Sequence, residues 1–143
     1  VVLRSYDWAR WRRDQGICVI SGNHSQIEKD VFHYLLQGNQ PIILALARGL
    51  KKRLEPELAT ALAQNRLLII TPFELAITRV TQETANQRNE LMAELADEIF
   101  VAHAQPGGNV EQLVMKWLQN KKKVGTFNVV ENFRLIDAGA QIV

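Results

Sequence analysis

The chain of 143 residues is 47% apolar and 22% charged, with a formal net charge of +2, the balance of one folded domain large enough for its own core. No apolar run approaches a membrane span, and Val1-Val2-Leu3-Arg4-Ser5 is too short and poorly arranged for a signal peptide; the missing initiator Met is that of a trimmed chain or a fragment. Cys18 is the one cysteine, which excludes an intramolecular disulfide, fits a reducing cytoplasm and reads as a small buried core residue.

In chain order, Tyr6 to Gln15 reads as a helix with Trp8 and Trp11 one turn apart, a spacing that favours packing over base stacking. Ile17-Cys18-Val19-Ile20 is a buried strand ending in Ser21-Gly22. Gln26 to Gln37 follows as a helix with Ile27, Val31, Tyr34 and Leu35 on one face, stopped by Gly38-Asn39. Pro41 opens a second strand over Ile42–Leu46, and a basic loop through Arg48 and Gly49 leads to a helix near Pro56 to Gln64. Leu67-Leu68-Ile69-Ile70 is the third strand, closed by Thr71-Pro72. A helix carrying Arg88 then presents Leu91, Met92 and Leu95 inward, and a strand over Glu98 to His103 follows. Pro106-Gly107-Gly108-Asn109 is a turn before an amphipathic helix with Val110, Leu113, Val114, Trp117 and Leu118, in which Trp117 belongs to the core. Lys123 to Phe127 is a fifth strand.

Continuous apolar strands between amphipathic helices specify a mainly parallel sheet covered on both faces. The expected fold class is therefore α/β: a single-domain, doubly wound, Rossmann-like three-layer sandwich over residues 1–143. About five strands are expected, with Ile17–Ile20, Ile42–Leu46, Leu67–Ile70 and Ile99–Ala102 adjacent at its centre.

Ligands of such sheets bind beyond the carboxyl ends of the strands. Ser21-Gly22-Asn23, Arg48-Gly49 and Gly107-Gly108-Asn109 fall at those ends, where glycines let backbone N–H groups approach an anion and a helix start favours negative charge. Arg88, with Asn89 beside it, lies on the same helix face as Leu91 and Met92, one turn earlier. A buried guanidinium needs a partner. It is either an anionic ligand in a phosphate-binding crevice or a structural carboxylate, for which Glu74, Glu83 and Asp97 are the candidates. There is no dinucleotide Gly-x-Gly-x-x-Gly and no phosphate-loop Gly-Lys-Ser/Thr. His24, His33 and His103 lack metal-ligand spacing, and Ser21 has no triad context. No catalytic set, metal or cofactor is assigned. Three basic clusters, Arg10/Arg12/Arg13, Lys51/Lys52/Arg53 and Lys121/Lys122/Lys123, read as solvated faces or helix ends.

The order of these pieces resembles the Rossmann-like domain of the DNA-processing protein A (DprA/Smf) family, within the wider group that includes the LOG-type nucleotide hydrolases. The resemblance runs from about Gly16 to Val143. It rests on Gly16-Ile17-Cys18-Val19-Ile20-Ser21-Gly22, Pro41 through Gly49, Glu55 to Thr71-Pro72, Arg88-Asn89, Ala96 to Ala102, Gly107, and the closing Leu135 to Val143. Asn23-His24-Ser25-Gln26 stands where the family carries a basic Ala-Arg-Gly turn, and Asn109-Val110-Glu111 replaces the LOG continuation Gly-Thr and a later Glu. The resemblance implies a non-enzymatic, cytoplasmic module that holds single-stranded DNA by its phosphates. It also implies a role in DNA uptake and delivery to RecA recombinase; a homo-oligomer is left open beside it, and no membrane partner is expected. The alternative it leaves open is a nucleotide-binding or nucleoside-phosphate-cleaving domain with Arg88 on phosphate and Glu111 as acid–base group.

Overall fold

Apolar strands and helices alternate along the whole chain, which a computed structural model describes from Val1 to Val143. The elements are α1 (Val2–Asp14), β1 (Val19–Ser21), α2 (Gln26–Leu36), β2 (Ile42–Ala45), α3 (Pro56–Ala63), β3 (Leu67–Ile70), α4 (Gln82–Leu95), β4 (Ile99–Val101), α5 (Asn109–Gln119), β5 (Val124–Thr126), a 3-10 turn (Val130–Asn132), α6 (Phe133–Asp137) and β6 (Gln141–Ile142). The architecture is α/β and Rossmann-like, with every strand pair parallel. Internal contacts divide it into two compact units, Val2–Glu94 and Leu95–Val143 with Val1.

In the Val2–Glu94 unit the strands stand in the order β1-β2-β3, with Val19 beside Ile42 and Ile42 beside Leu67. Side chains alternate across a strand, so Ile42, Leu44 and Leu67 share one face. There they pack with Ala9 of α1, Phe32 and Leu35 of α2, and Leu58 and Ala61 of α3. Helices α1 and α2 run parallel in constant register. Tyr6 donates to Asp30 (2.7 Å), the Arg10 guanidinium lies over the Tyr34 ring, and Arg13 donates to Gln37. The separation is 24 residues at both hydrogen-bonded pairs.

In the Leu95–Val143 unit the order is β4-β5-β6. Its polar centre is Asn132, fully buried. Asn132 Oδ1 accepts from the Ala104 amide (3.0 Å), and Nδ2 donates to the carbonyls of Ala102 (3.0 Å) and Phe127 (3.2 Å). One side chain thereby joins the segments leaving β4 and β5 and satisfies backbone groups that no ladder reaches.

The expected single ladder with Ile99–Ala102 among the first three strands is replaced by two ladders of three strands each. Strand β4 bonds β5, with Ile99 beside Val124. Strand β6 escaped the sequence because Gln141 and Ile142 are both exposed, so no apolar run marks it. Cys18 is exposed rather than core, since it precedes the paired residues of the edge strand β1. Leu95 at the last turn of α4 is also exposed, as is Val110 at the first turn of α5. Trp117 and Val114 are buried as expected, and Leu113 is partly so.

Candidate nucleic-acid interface

The end of β1 turns sharply and is pinned by its own polar side chains. Ser21 is buried, and its Oγ accepts from the Asn23 amide (3.1 Å). Asn23 adopts the left-handed region, φ 49°, which asparagine tolerates better than most residues. Two residues on, Ser25 caps α2. Its Oγ accepts from the Glu28 amide (3.2 Å), while Glu28 Oε1 accepts from the Ser25 amide (3.3 Å). This reciprocal capping box fixes where α2 begins. Its signature, Ser25-x-x-Glu28, is legible in the sequence and was missed there.

Arg88 reaches this turn from α4. It is only 3% exposed. Nε donates to Asn89 Oδ1 (2.9 Å), and Nη1 is shared between the carbonyls of Gly22 (3.3 Å) and Ala45 (3.4 Å). The guanidinium therefore closes over the carboxyl ends of β1 and β2, and it makes no ion pair with Glu74, Glu83 or Asp97. Burial pushes its pKa below the ordinary arginine value, and the nearby Glu28 carboxylate pulls it back up. Arginine starts so high that the group stays charged. Nη2 takes no part in these hydrogen bonds and is not among the buried unpaired atoms.

Gly22 is required by this packing. A Cβ there would sit 2.5 Å from Arg88 Cζ and Nη1. Gly49 is required by a different approach, because its Cβ would come 2.2 Å from the Glu74 carbonyl oxygen. Around it the ends of β2 and β3 are interlocked. The Gly49 amide donates to the Ile77 carbonyl (2.7 Å), Thr71 Oγ1 donates to the Arg48 carbonyl, and Thr71 Oγ1 accepts from the Phe73 amide (3.1 Å). Arg48 itself folds back, Nε donating to the Gly49 carbonyl (3.1 Å). Ser21, Gly22, Asn23, Arg48 and Gly49 thus belong to the carboxyl-end rim of one sheet, and Arg88 and Asn89 to the middle of α4, from which Arg88 reaches that rim.

Gly107, Gly108 and Asn109 belong to the Leu95–Val143 unit, and there the turn is already engaged. Gly107 has φ 74°, a conformation glycine adopts freely. Its amide donates to Glu111 Oε1 (3.1 Å), and Arg134 Nη1 donates to the same oxygen (3.3 Å). The Gly108 amide donates to the Gln105 carbonyl (2.9 Å). Glu111 is buried, and its Oε2 has no hydrogen-bond partner. A carboxylate of the chain occupies the position an external anion would take at a helix start.

The basic clusters divide. Lys51, Lys52 and Arg53 are exposed, whereas Arg13 is engaged with Asp14 and the Tyr34 carbonyl. Lys123 pairs with Glu98 (3.5 Å) at the surface. The two tryptophans of α1 also part company. Trp8 is half-buried against the core, and Trp11 is 52% exposed.

No family model and no curated protein sequence matches the chain. Its fold is that of two solved structures. One is DNA processing protein A from Helicobacter pylori, described for its single-stranded DNA binding mode, with TM-score 0.74 and 17% identity over 97% of this chain and 66% of that one. The other is DNA processing protein A (DprA) from Streptococcus pneumoniae, also at TM-score 0.74 and 17% identity, covering 98% of this chain and 53% of that one. The chain spans about two thirds and about half of the lengths of these relatives. At that identity the likeness establishes a DprA-like fold. No helix is long and apolar enough to cross a membrane.

Proposed function

We propose that this chain binds single-stranded DNA, without catalysis, through a phosphate-binding crevice formed by Ser21, Gly22, Asn23, Arg48, Gly49, Arg88 and Asn89. The observation that carries the proposal is Arg88. A guanidinium almost wholly removed from water is held by uncharged oxygens on two of its nitrogens, with Nη2 outside those bonds at the carboxyl end of a parallel sheet. Such a group has hydrogen-bond partners but no bonded counter-charge, with Glu28 acting on it only at a distance, and a phosphate oxygen supplies one. The DprA-like fold, which in the Helicobacter pylori protein binds single-stranded DNA, supports the same reading. Gly107, Gly108 and Asn109 are left outside the proposed site, because Glu111 holds the Gly107 amide.

The test is anisotropy of a labelled thymidine oligonucleotide titrated at several salt concentrations. Binding should weaken with salt, with a slope of about −0.7 per phosphate contacted. Arg88→Lys keeps the charge but loses the fork, so it should bind several-fold more weakly while remaining folded. Salt-independent binding, or wild-type affinity in a folded Arg88→Lys, would remove the crevice reading. The proposal extends, on the family resemblance, to cytoplasmic DNA uptake, hand-over to a RecA recombinase and self-association, for which co-sedimentation is the measurement. The competing reading, nucleoside-phosphate cleavage, is favoured by one observation, the buried and unpaired Glu111 Oε2. It requires release of free base from a nucleoside monophosphate, abolished in Glu111→Gln.

A further inference from the structure

Trp11 is the one large aromatic of α1 that the core does not take. It keeps 52% of its exposure, while Arg12 places its guanidinium 4.9 Å from the Trp11 ring centroid and 5.3 Å from that of Trp8. Arg12 Nε is buried without a hydrogen-bond partner, so stacking on the two rings holds this cation in place. Arg12, fixed between a half-buried indole and an open one, orients the open one. The helix carries four arginines, Arg4, Arg10, Arg12 and Arg13, against Asp7 and Asp14. An open indole backed by a stacked guanidinium on a positively charged helix is the arrangement that accepts unpaired nucleobases, because every base offers a π-face whatever its sequence.

We propose that Trp11, positioned by Arg12, is a stacking platform for a base of the single strand that leaves the crevice, a reading that rests on the crevice proposal above. The geometry of the helix pair supplies the path. Helix α2 starts at the crevice rim, and α1 lies parallel to it at an offset of 24 residues. Trp11 is therefore level with Leu35, ten residues below the Ser25 cap, or about 15 Å along the helix axis. About four nucleotides cover that distance at the 3.4 Å spacing of a stacked strand.

Length and base dependence test this directly. Thymidine oligonucleotides of about 3 and about 15 nucleotides, and an abasic strand as long as the second, are titrated against wild type, Trp11→Ala and Trp11→Phe. The expected result has three parts. Trp11→Ala weakens the long thymidine strand by about tenfold, Trp11→Phe restores most of the loss, and the short strand and the abasic strand do not distinguish the variants. Equal affinity of Trp11→Ala and wild type for the long strand overturns the platform. So does an equal loss on the abasic strand, which would make Trp11 a structural or charge-positioning residue. Loss of self-association in Trp11→Ala at unchanged oligonucleotide affinity overturns it too, and would make the helix face a contact between copies. The two proposals fail separately. If Arg88→Lys binds normally while Trp11→Ala is weak, the crevice falls and with it the path from the Ser25 cap, leaving Trp11 as a base-stacking residue for a strand held elsewhere; if Arg88→Lys is weak while Trp11→Ala binds normally, the platform alone falls. If the wild type binds neither strand, both fall.

Discussion

Two glycine-containing turns follow parallel strands and precede helices in this chain, and they carry opposite chemistry. At Ser21-Gly22-Asn23 the nearest buried charge is a cation, Arg88, lying over the Gly22 and Ala45 carbonyls. At Gly107-Gly108-Asn109 the nearest buried charge is an anion, Glu111, accepting from the Gly107 amide and Arg134. Backbone geometry alone would make both turns candidate anion sites. The side chain against each turn gives the two opposite charge: Arg88 arrives from a distant helix, and Glu111 from the helix the turn itself opens.

The largest test of this contrast is Arg88→Ala. Arg88 serves the fold as well as any ligand, because its loss strands the Gly22 and Ala45 carbonyls and leaves a hole. Unfolding in denaturant should show a loss of about 3 kcal/mol, the sum of broken charged hydrogen bonds and vacated volume. Stability and affinity therefore fall together in this variant, and Arg88→Lys is the one that separates them. An unchanged midpoint would mean that Arg88 faces solvent and that the contrast is wrong.

Gly22→Ala is the next. The added methyl meets Arg88 Cζ at 2.5 Å, and the guanidinium must move. The expected cost is about 1–3 kcal/mol, the range for overpacking, with weaker oligonucleotide binding although no charge has changed. The double variant Gly22→Ala with Arg88→Ala should be less destabilised than the two single effects combined, because the clash disappears with the arginine. Strict additivity would show that the two residues do not touch.

Glu111→Gln examines the other turn. Gln keeps an oxygen for the Gly107 amide and removes the negative charge. Arg134 is two-thirds exposed, so its ion pair contributes little, and stability should change by less than about 1 kcal/mol. Oligonucleotide affinity should stay level or rise slightly. A fall like that of Arg88→Lys would place Glu111 in the binding machinery.

The smallest effect is expected at the helix pair. Hydrogen bonds from Tyr6 and Gln26 hold the Asp30 carboxyl below its usual range, and the bond to Asp30 raises the Tyr6 hydroxyl above its own. A depressed acid contributes stability above its unfolded pKa, about 3.9, and loses it as the pH falls through the folded value. A raised tyrosine contributes below about 10 and loses it as the pH rises through the folded value. The Tyr6–Asp30 contact is therefore complete between those limits. Tyr6→Phe should flatten the stability profile at both ends, as read by thermal melts at acid, neutral and alkaline pH. An unaltered profile would mean the contact does not persist in solution.

The alternation of strands and helices was written in the sequence as continuous apolar runs and 3.6-residue stripes. Those patterns are local, so Leu67–Ile70 and the burial of Trp117 could be read without any tertiary information. Arg88 was legible for a related reason, as a charge on an inward face that burial would make costly. Its partners were not, since the Gly22 and Ala45 carbonyls lie 66 and 43 residues away. Strand pairing is equally non-local. That β4 bonds β5, that the exposed pair Gln141-Ile142 becomes β6, and that Cys18 stands open just ahead of an edge strand follow from which backbones met, which no single run records. The charge at the Gly22 turn belongs to the same class. Packing alone placed the Arg88 guanidinium against Gly22, from 66 residues away, whereas the Glu111 carboxylate meets Gly107 from four residues along the chain, in the first turn of α5. Electrostatics at a buried site depend on distance in space, whereas sequence patterns report distance along the chain.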